Sequence, residues 1–171
     1  MASALRSVTV LALSLAATAA GAEVYQEPSA FLAEVFGTTP PPKVLWLTRN
    51  LQAQAAGILG HPPTQLRQRY WSEGPKSVWI LEEIGKEEPI TAGFVVVGGR
   101  IEHVRVLVYR ESRGQEVRQA AFLKQFGNAK LAQGDKLDRE IDGIVGATLS
   151  VGAMERMARL ALLFDGASRG G

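Results

Sequence analysis

The chain has 171 residues, with 19 Lys and Arg against 17 Asp and Glu, and it contains no cysteine. A formal charge of +2, with no Lys or Arg run interleaved with aromatics, leaves no footprint for nucleic acid, so no nucleic-acid partner is expected. Lack of thiols excludes disulfides, iron–sulfur clusters, c-type haem and a lipid-modified N-terminal cysteine, so any redox chemistry must come from a cofactor that needs none.

Arg6, an apolar run over 8–20 and Ala20-Gly21-Ala22 before Glu23 read as a secretory signal peptide over 1–22. The run is shorter than the roughly 20 residues that span a bilayer. A mature, exported chain is therefore expected from Glu23, long enough for one compact domain.

Pro28-Ser29 followed by Phe31, Leu32, Val35 and Phe36 predicts a short amphipathic helix, stopped by Gly37 and stiffened by Pro40-Pro41-Pro42. Val44 to Leu47 fits either a short strand or the entry to a helix. Leu51, Ala55, Ile58 and Leu59 predict a helix that closes at Gly60. Four segments rich in β-branched and aromatic residues follow, around Arg69-Tyr70-Trp71, at 77–81, at 91–97 and at 100–109. They predict a small antiparallel sheet, with Gly98-Gly99 as a two-residue hairpin turn.

The pattern over 115–126 predicts one helix, with Val117, Ala121, Phe122 and Phe126 inside and Arg118, Lys124 and Gln125 outside. A polar stretch over 129–141, with a turn at Gly134-Asp135, leads to a final helix beyond Thr148. Its buried side is Val151, Met154, Ala158, Ala161 and Leu162, and Asp165-Gly166 is expected to end it, leaving a frayed tail. The fold class is thus α+β, a small antiparallel sheet packed with helices.

The most informative stretch is Asp142-Gly143-Ile144-Val145-Gly146-Ala147-Thr148-Leu149-Ser150. A flexible turn delivers small residues and then a hydroxyl to the first turn of a helix, where unpaired N–H groups collect and a phosphate is stabilised. Read from the residues alone, Thr148 or Ser150 is a helix N-cap and Asp142 a turn residue. The stretch also resembles the flavinylation motif of the FMN-binding domain family, Asp-x-x-Ser/Thr-Gly-Ala-Thr. Asp142, Gly146, Ala147 and Thr148 match in register, while Val145 stands where the family has a hydroxyl residue. Relatives of this kind include the flavin-carrying subunits of the Na+-translocating NADH:quinone reductase and of Rnf-type electron transport complexes.

The resemblance implies FMN esterified through its phosphate to Thr148 by a flavin transferase that uses FAD, with Asp142 in the recognition sequence and Gly146, Ala147, Leu149 and Ser150 around the cofactor. A second stretch, Tyr109-Arg110-Glu111-Ser112-Arg113-Gly114, resembles the family's Glu-Ser/Thr-x-Gly segment. It implies contacts from Glu111, Ser112 and Gly114; the alternative is a strand-to-helix turn with Ser112 as a cap. Arg110 and Arg113 are either tuners of the flavin's potential or solvated charges.

Other residues are read as structural. His61 and His103 have no metal-ligand companions, Glu82-Glu83 and Glu87-Glu88 are solvated charge, and Ser150 lacks a hydrolase context. Trp46, Trp71 and Trp79 are taken mainly as core. The division expected is a signal peptide over 1–22, an N-terminal helical segment over 23–66 and an FMN-binding domain over 67–171. The function implied is a periplasmic electron-transfer flavoprotein, without catalytic acid or base, exchanging electrons with donor and acceptor proteins that include membrane-bound ones. The alternative is a non-redox FMN-binding, sensory or docking module of a membrane electron-transport complex.

Overall fold

A computed structural model of the protein describes residues 21–170. The signal peptide expected over 1–22 lies outside the described residues except for its last two. The chain runs β1 (Glu23–Val24), α1 (Pro28–Phe36), β2 (Lys43–Trp46), α2 (Arg49–Leu59), β3 (Arg67–Glu73), β4 (Lys76–Ile84), β5 (Pro89–Val97), β6 (Arg100–Tyr109), α3 (Ala120–Leu123) and α4 (Thr148–Arg169). It is an α+β fold. Val44 to Trp46 resolves to strand, and α2 follows at once, its Thr48 side chain accepting from the Leu51 N–H.

All six strands pair antiparallel in the order β1-β6-β5-β4-β3-β2. Gly98 and Gly99 turn β5 into β6 at φ of 58° and 74°, a conformation that side chains with a Cβ resist. On one face, Trp79, Leu81, Phe94, Val104 and Val106 pack against α4 and α2 in the larger core. On the other, Phe31 and Leu32 of α1 cover Val78, Val95, Leu107 and Val108. Burial of both faces follows from the apolar content of β5, which is buried from Ile90 to Val96.

Two expectations need correction. Residues 115–126 are not one helix but a 3₁₀ turn over Gln115–Arg118, the short α3 and a second 3₁₀ turn over Lys124–Phe126, with Gln119 extended at ψ 140°. In a continuous helix Val117 and Phe122 would point about 140° apart. The extended residue lets Val117, Phe122 and Phe126 all reach the core while Ala121 faces solvent.

Asp165-Gly166 does not end the last helix, which continues to Arg169. Asp165 is buried, accepts from the Ser77 hydroxyl at 2.6 Å, and pairs with Arg169 one turn on, at 3.0 Å. Arg169 also donates to the Pro75 carbonyl, so the tail is tied to the start of β4.

Candidate functional site

The loop before α4 is pinned at both ends. The Asp142 N–H donates to the Gln125 side chain at 2.7 Å, and the Ala147 N–H donates to the Ile144 carbonyl at 3.0 Å. Gly146 turns the chain at φ 82°, where a residue with a Cβ would be strained, and delivers Ala147 as the N-cap with no side-chain capping bond. Ala147 and Ser150 are buried, whereas Val145, Thr148 and Leu149 face solvent.

This arrangement sets a hydroxyl in a positive mouth. Val151 is the first residue of α4 whose N–H finds a backbone acceptor, the Ala147 carbonyl at 2.9 Å. Among the described residues, no protein acceptor meets the N–H groups of Thr148, Leu149 and Ser150. These three donors and the positive end of a 22-residue helix suit an oxyanion or phosphate beside the exposed Thr148 hydroxyl.

The second stretch is brought against the first. Tyr109, the last residue of β6, donates its only hydroxyl proton to the Arg113 carbonyl. The Ser150 hydroxyl, 3.2 Å from the tyrosine oxygen, must then be the donor in that contact. Burial raises the Tyr109 hydroxyl above its ordinary pKa, and the Ser150 bond offsets part of that shift. Gly114, at φ 83°, sits in the angle between them. A Cβ there would lie 2.8 Å from both Ser150 Oγ and Tyr109 Oη, and 3.3 Å from Ala147 Cβ.

Glu111 faces the turn between β4 and β5. One of its carboxylate oxygens accepts from the backbone N–H groups of Lys86, Glu87 and Glu88, the latter two at 2.7 and 3.1 Å. Burial alone would raise this carboxyl's pKa, but the three donors outweigh it and hold the group below its usual range. Gly85 completes the seam: a Cβ on it would meet Glu111 Oε1 at 2.8 Å and Ser150 Oγ at 3.4 Å. Ser112 is exposed and caps nothing, since the 3₁₀ turn after it starts from Gly114 without a side-chain cap.

Gly114, Ala147 and Ser150 therefore meet, with Glu111 linked to them through Gly85. Thr148 and Leu149 stand above them in solvent. Asp142 is anchored farther off, on Gln125. Sequence reasoning missed the part played by Gly85, and it missed the contact of Tyr109 with Ser150, reading that tyrosine as a strand end and the start of the second stretch. Strict alternation from Val104 and Val106 would have put Tyr109 on the opposite face; it is the register shift of β6 between Val106 and Val108 that turns the tyrosine to the α4 face, and no local sequence signal marks it.

Several side readings change. Arg110 donates to the Pro89 carbonyl and the Thr91 hydroxyl, both at 3.0 Å, and lies 3.6 Å from Glu82; it braces β5 and is neither a free surface charge nor aimed at α4. Glu83 is buried and accepts from Arg156 at 3.0 Å, with His61 at 3.4 Å, so it is not solvated charge. Trp79 is core and stacks on Tyr70, Trp71 is half-buried, and Trp46 is two-thirds exposed.

A hydroxyl in a donor-lined helix mouth, on a mixed sheet-and-helix domain, is suited to a phosphate-bearing group. Comparison with known families makes this particular: residues 85–163 match the family model of the FMN-binding domain, a match consistent with FMN as the cofactor. The matched region contains Gly85, Tyr109, Glu111, Gly114 and the whole of the loop to Ser150. Among solved structures, NqrC of Shewanella oneidensis shares the fold, with a TM-score of 0.56 and 14% identity over 80% of this chain and 87% of that chain. No curated protein sequence matches the chain significantly.

Proposed function

We propose that this protein is an exported electron-transfer flavoprotein that carries FMN covalently, through a phosphoester on Thr148. The observation that supports this most strongly is the pairing of an exposed Thr148 hydroxyl with three uncommitted N–H groups in the first turn of α4. FMN, when bound, supplies reversible one- or two-electron chemistry. The chain supplies the rest. The helix mouth stabilises the remaining phosphoester charge by about 0.3–1 kcal/mol, and the Gly114–Ser150 seam fixes the helix that carries the attachment point.

Between the two hydroxyls in this turn, access selects Thr148. Ser150 is 4% exposed and already donates to Tyr109, whereas Thr148 opens to solvent. A flavin transferase can reach the first without disturbing the fold. Attachment suits a protein of the periplasm, where a cofactor lost by dissociation is not easily replaced. The redox donor and acceptor are other proteins at or in the membrane.

The test is mass spectrometry of the tryptic peptide 140–156 from chain exported in the presence of a flavin transferase. The expected result is an added FMN less one water, localised by fragmentation to Thr148 and absent from a Thr148→Ala variant. An unmodified peptide, with flavin released completely on denaturation, would leave only non-covalent FMN binding, the reading in which the domain is a sensory or docking module.

A further inference from the structure

Strand β6 is left half-paired in the middle of its length. β5 covers one side, and its register is regular from His103 to Val106, with shifts beyond either end. On the other side β1 pairs only with Val108 and Tyr109. The chain then leaves the strand at Tyr25 and Gln26, whose N–H groups both converge on the Leu107 carbonyl at 2.9 and 3.3 Å. At the far end, Asn128 and Ala129 take the carbonyl and N–H of Ile101. Between these two anchors, among the described residues, no backbone hydrogen bond from outside the sheet reaches residues 102–106.

That interval is the floor of a groove of about 620 Å³, closed at one end by Tyr25 and Gln26, at the other by Gly127, and walled by Ala120 and Leu123. An unprotected strand edge is a template for another strand. Five residues of edge match five residues of extended peptide, roughly 17 Å.

The charge of the groove is one-sided. Arg105 is paired with Glu34 at 2.8 Å, and Glu102 lies 3.8 Å from Lys76. Burial and the nearby Arg105 hold His103 below its ordinary pKa. Arg118, stacked over the Tyr25 ring at 4.4 Å, and Lys124 have no carboxylate within salt-bridge distance among the described residues. Both are exposed.

We infer that the open edge of β6 at residues 102–106 is a docking site for an extended acidic peptide segment of a partner protein, which adds as a strand and meets Arg118 and Lys124 with its carboxylates. Main-chain pairing supplies the binding and the two cations supply the preference. The inference is independent of how the flavin is held.

The experiment uses the full chain, labelled with nitrogen-15, and the capped pentapeptide Glu-Val-Glu-Val-Glu. Saturable shifts centred on the amides of residues 102–106 are expected. Affinity should fall about tenfold in the Arg118→Glu, Lys124→Glu double variant, or when Lys replaces Glu in the peptide. A peptide N-methylated at alternate residues, which keeps its charge but loses strand pairing, should not bind. Unchanged amides at millimolar peptide, or equal binding of the N-methylated peptide, would overturn the proposal. So would a concentration-dependent dimer in sedimentation that closes this edge with a second copy.

Discussion

Ser150 and Tyr109 touch across the seam between the last helix and the sheet, with 3.2 Å between their hydroxyl oxygens. Because the tyrosine's proton goes to Arg113, the serine is the donor, and the mouth of α4 is held by a hydroxyl that is unavailable for modification. Tyr109→Phe removes both bonds at a buried position. It should lower stability by about 1–3 kcal/mol, read as a reduced denaturation midpoint with an unchanged m-value. Ser150→Ala should cost about 1 kcal/mol and leave flavin on the 140–156 peptide.

Gly114 admits no larger residue. Gly114→Ala places a methyl group 2.8 Å from two hydroxyl oxygens at a φ of 83°, so overpacking and backbone strain act together. A loss of about 2–4 kcal/mol is expected. Thermal unfolding in parallel with Gly146→Ala separates the two effects. Position 146 has the same positive φ but nothing within 4 Å, so only the backbone term remains there, about 1–2 kcal/mol.

Glu111 makes stability depend on acid pH. Its folded pKa lies below the ordinary value because three backbone donors outweigh burial. The stabilisation is therefore complete above the unfolded carboxylate value of about 4.3 and is lost as pH falls through the lower folded value. Glu111→Gln should be less stable than the parent at neutral pH, and the gap should close on acidification. Paired urea titrations across that range check it; a gap that widens in acid contradicts the assignment.

At the other end of α4, Arg169→Ala leaves the Asp165 carboxylate buried with only Ser77 as partner. Removing one member of a buried pair costs about 3–5 kcal/mol. Here the guanidinium is 38% exposed, which reduces the expected loss to about 1–3 kcal/mol. Asp165→Asn should cost less, since the amide can still accept from Ser77. Chemical denaturation of the two variants gives the ranking.

Local chemistry explains which parts of this architecture could be read in advance. Pro28–Phe36, the hairpin at Gly98-Gly99 and the apolar side of α4 are specified by residues adjacent in sequence. The break at Gln119 and the continuation through Gly166 are not. The first is forced by where Val117 and Phe122 must be buried. The second depends on Ser77, far away in the chain, meeting Asp165. Near the helix mouth, the motif order foretold the turn at Gly146 and the helix start at Thr148, but the contacts of Glu111 could not be seen, because its partners are backbone groups of a turn more than twenty residues away.

Val145 projects wholly into solvent and contacts no part of the fold that a hydroxyl would improve. Exchanging it for Ser should leave the melting curve unmoved and, if the proposed attachment at Thr148 holds, alter the rate at which a flavin transferase modifies the 140–156 peptide. In this loop the requirements of folding are met by Ala147 and Gly146, so under the proposed attachment at Thr148 the position between Ile144 and Gly146 is free to follow the transferase alone.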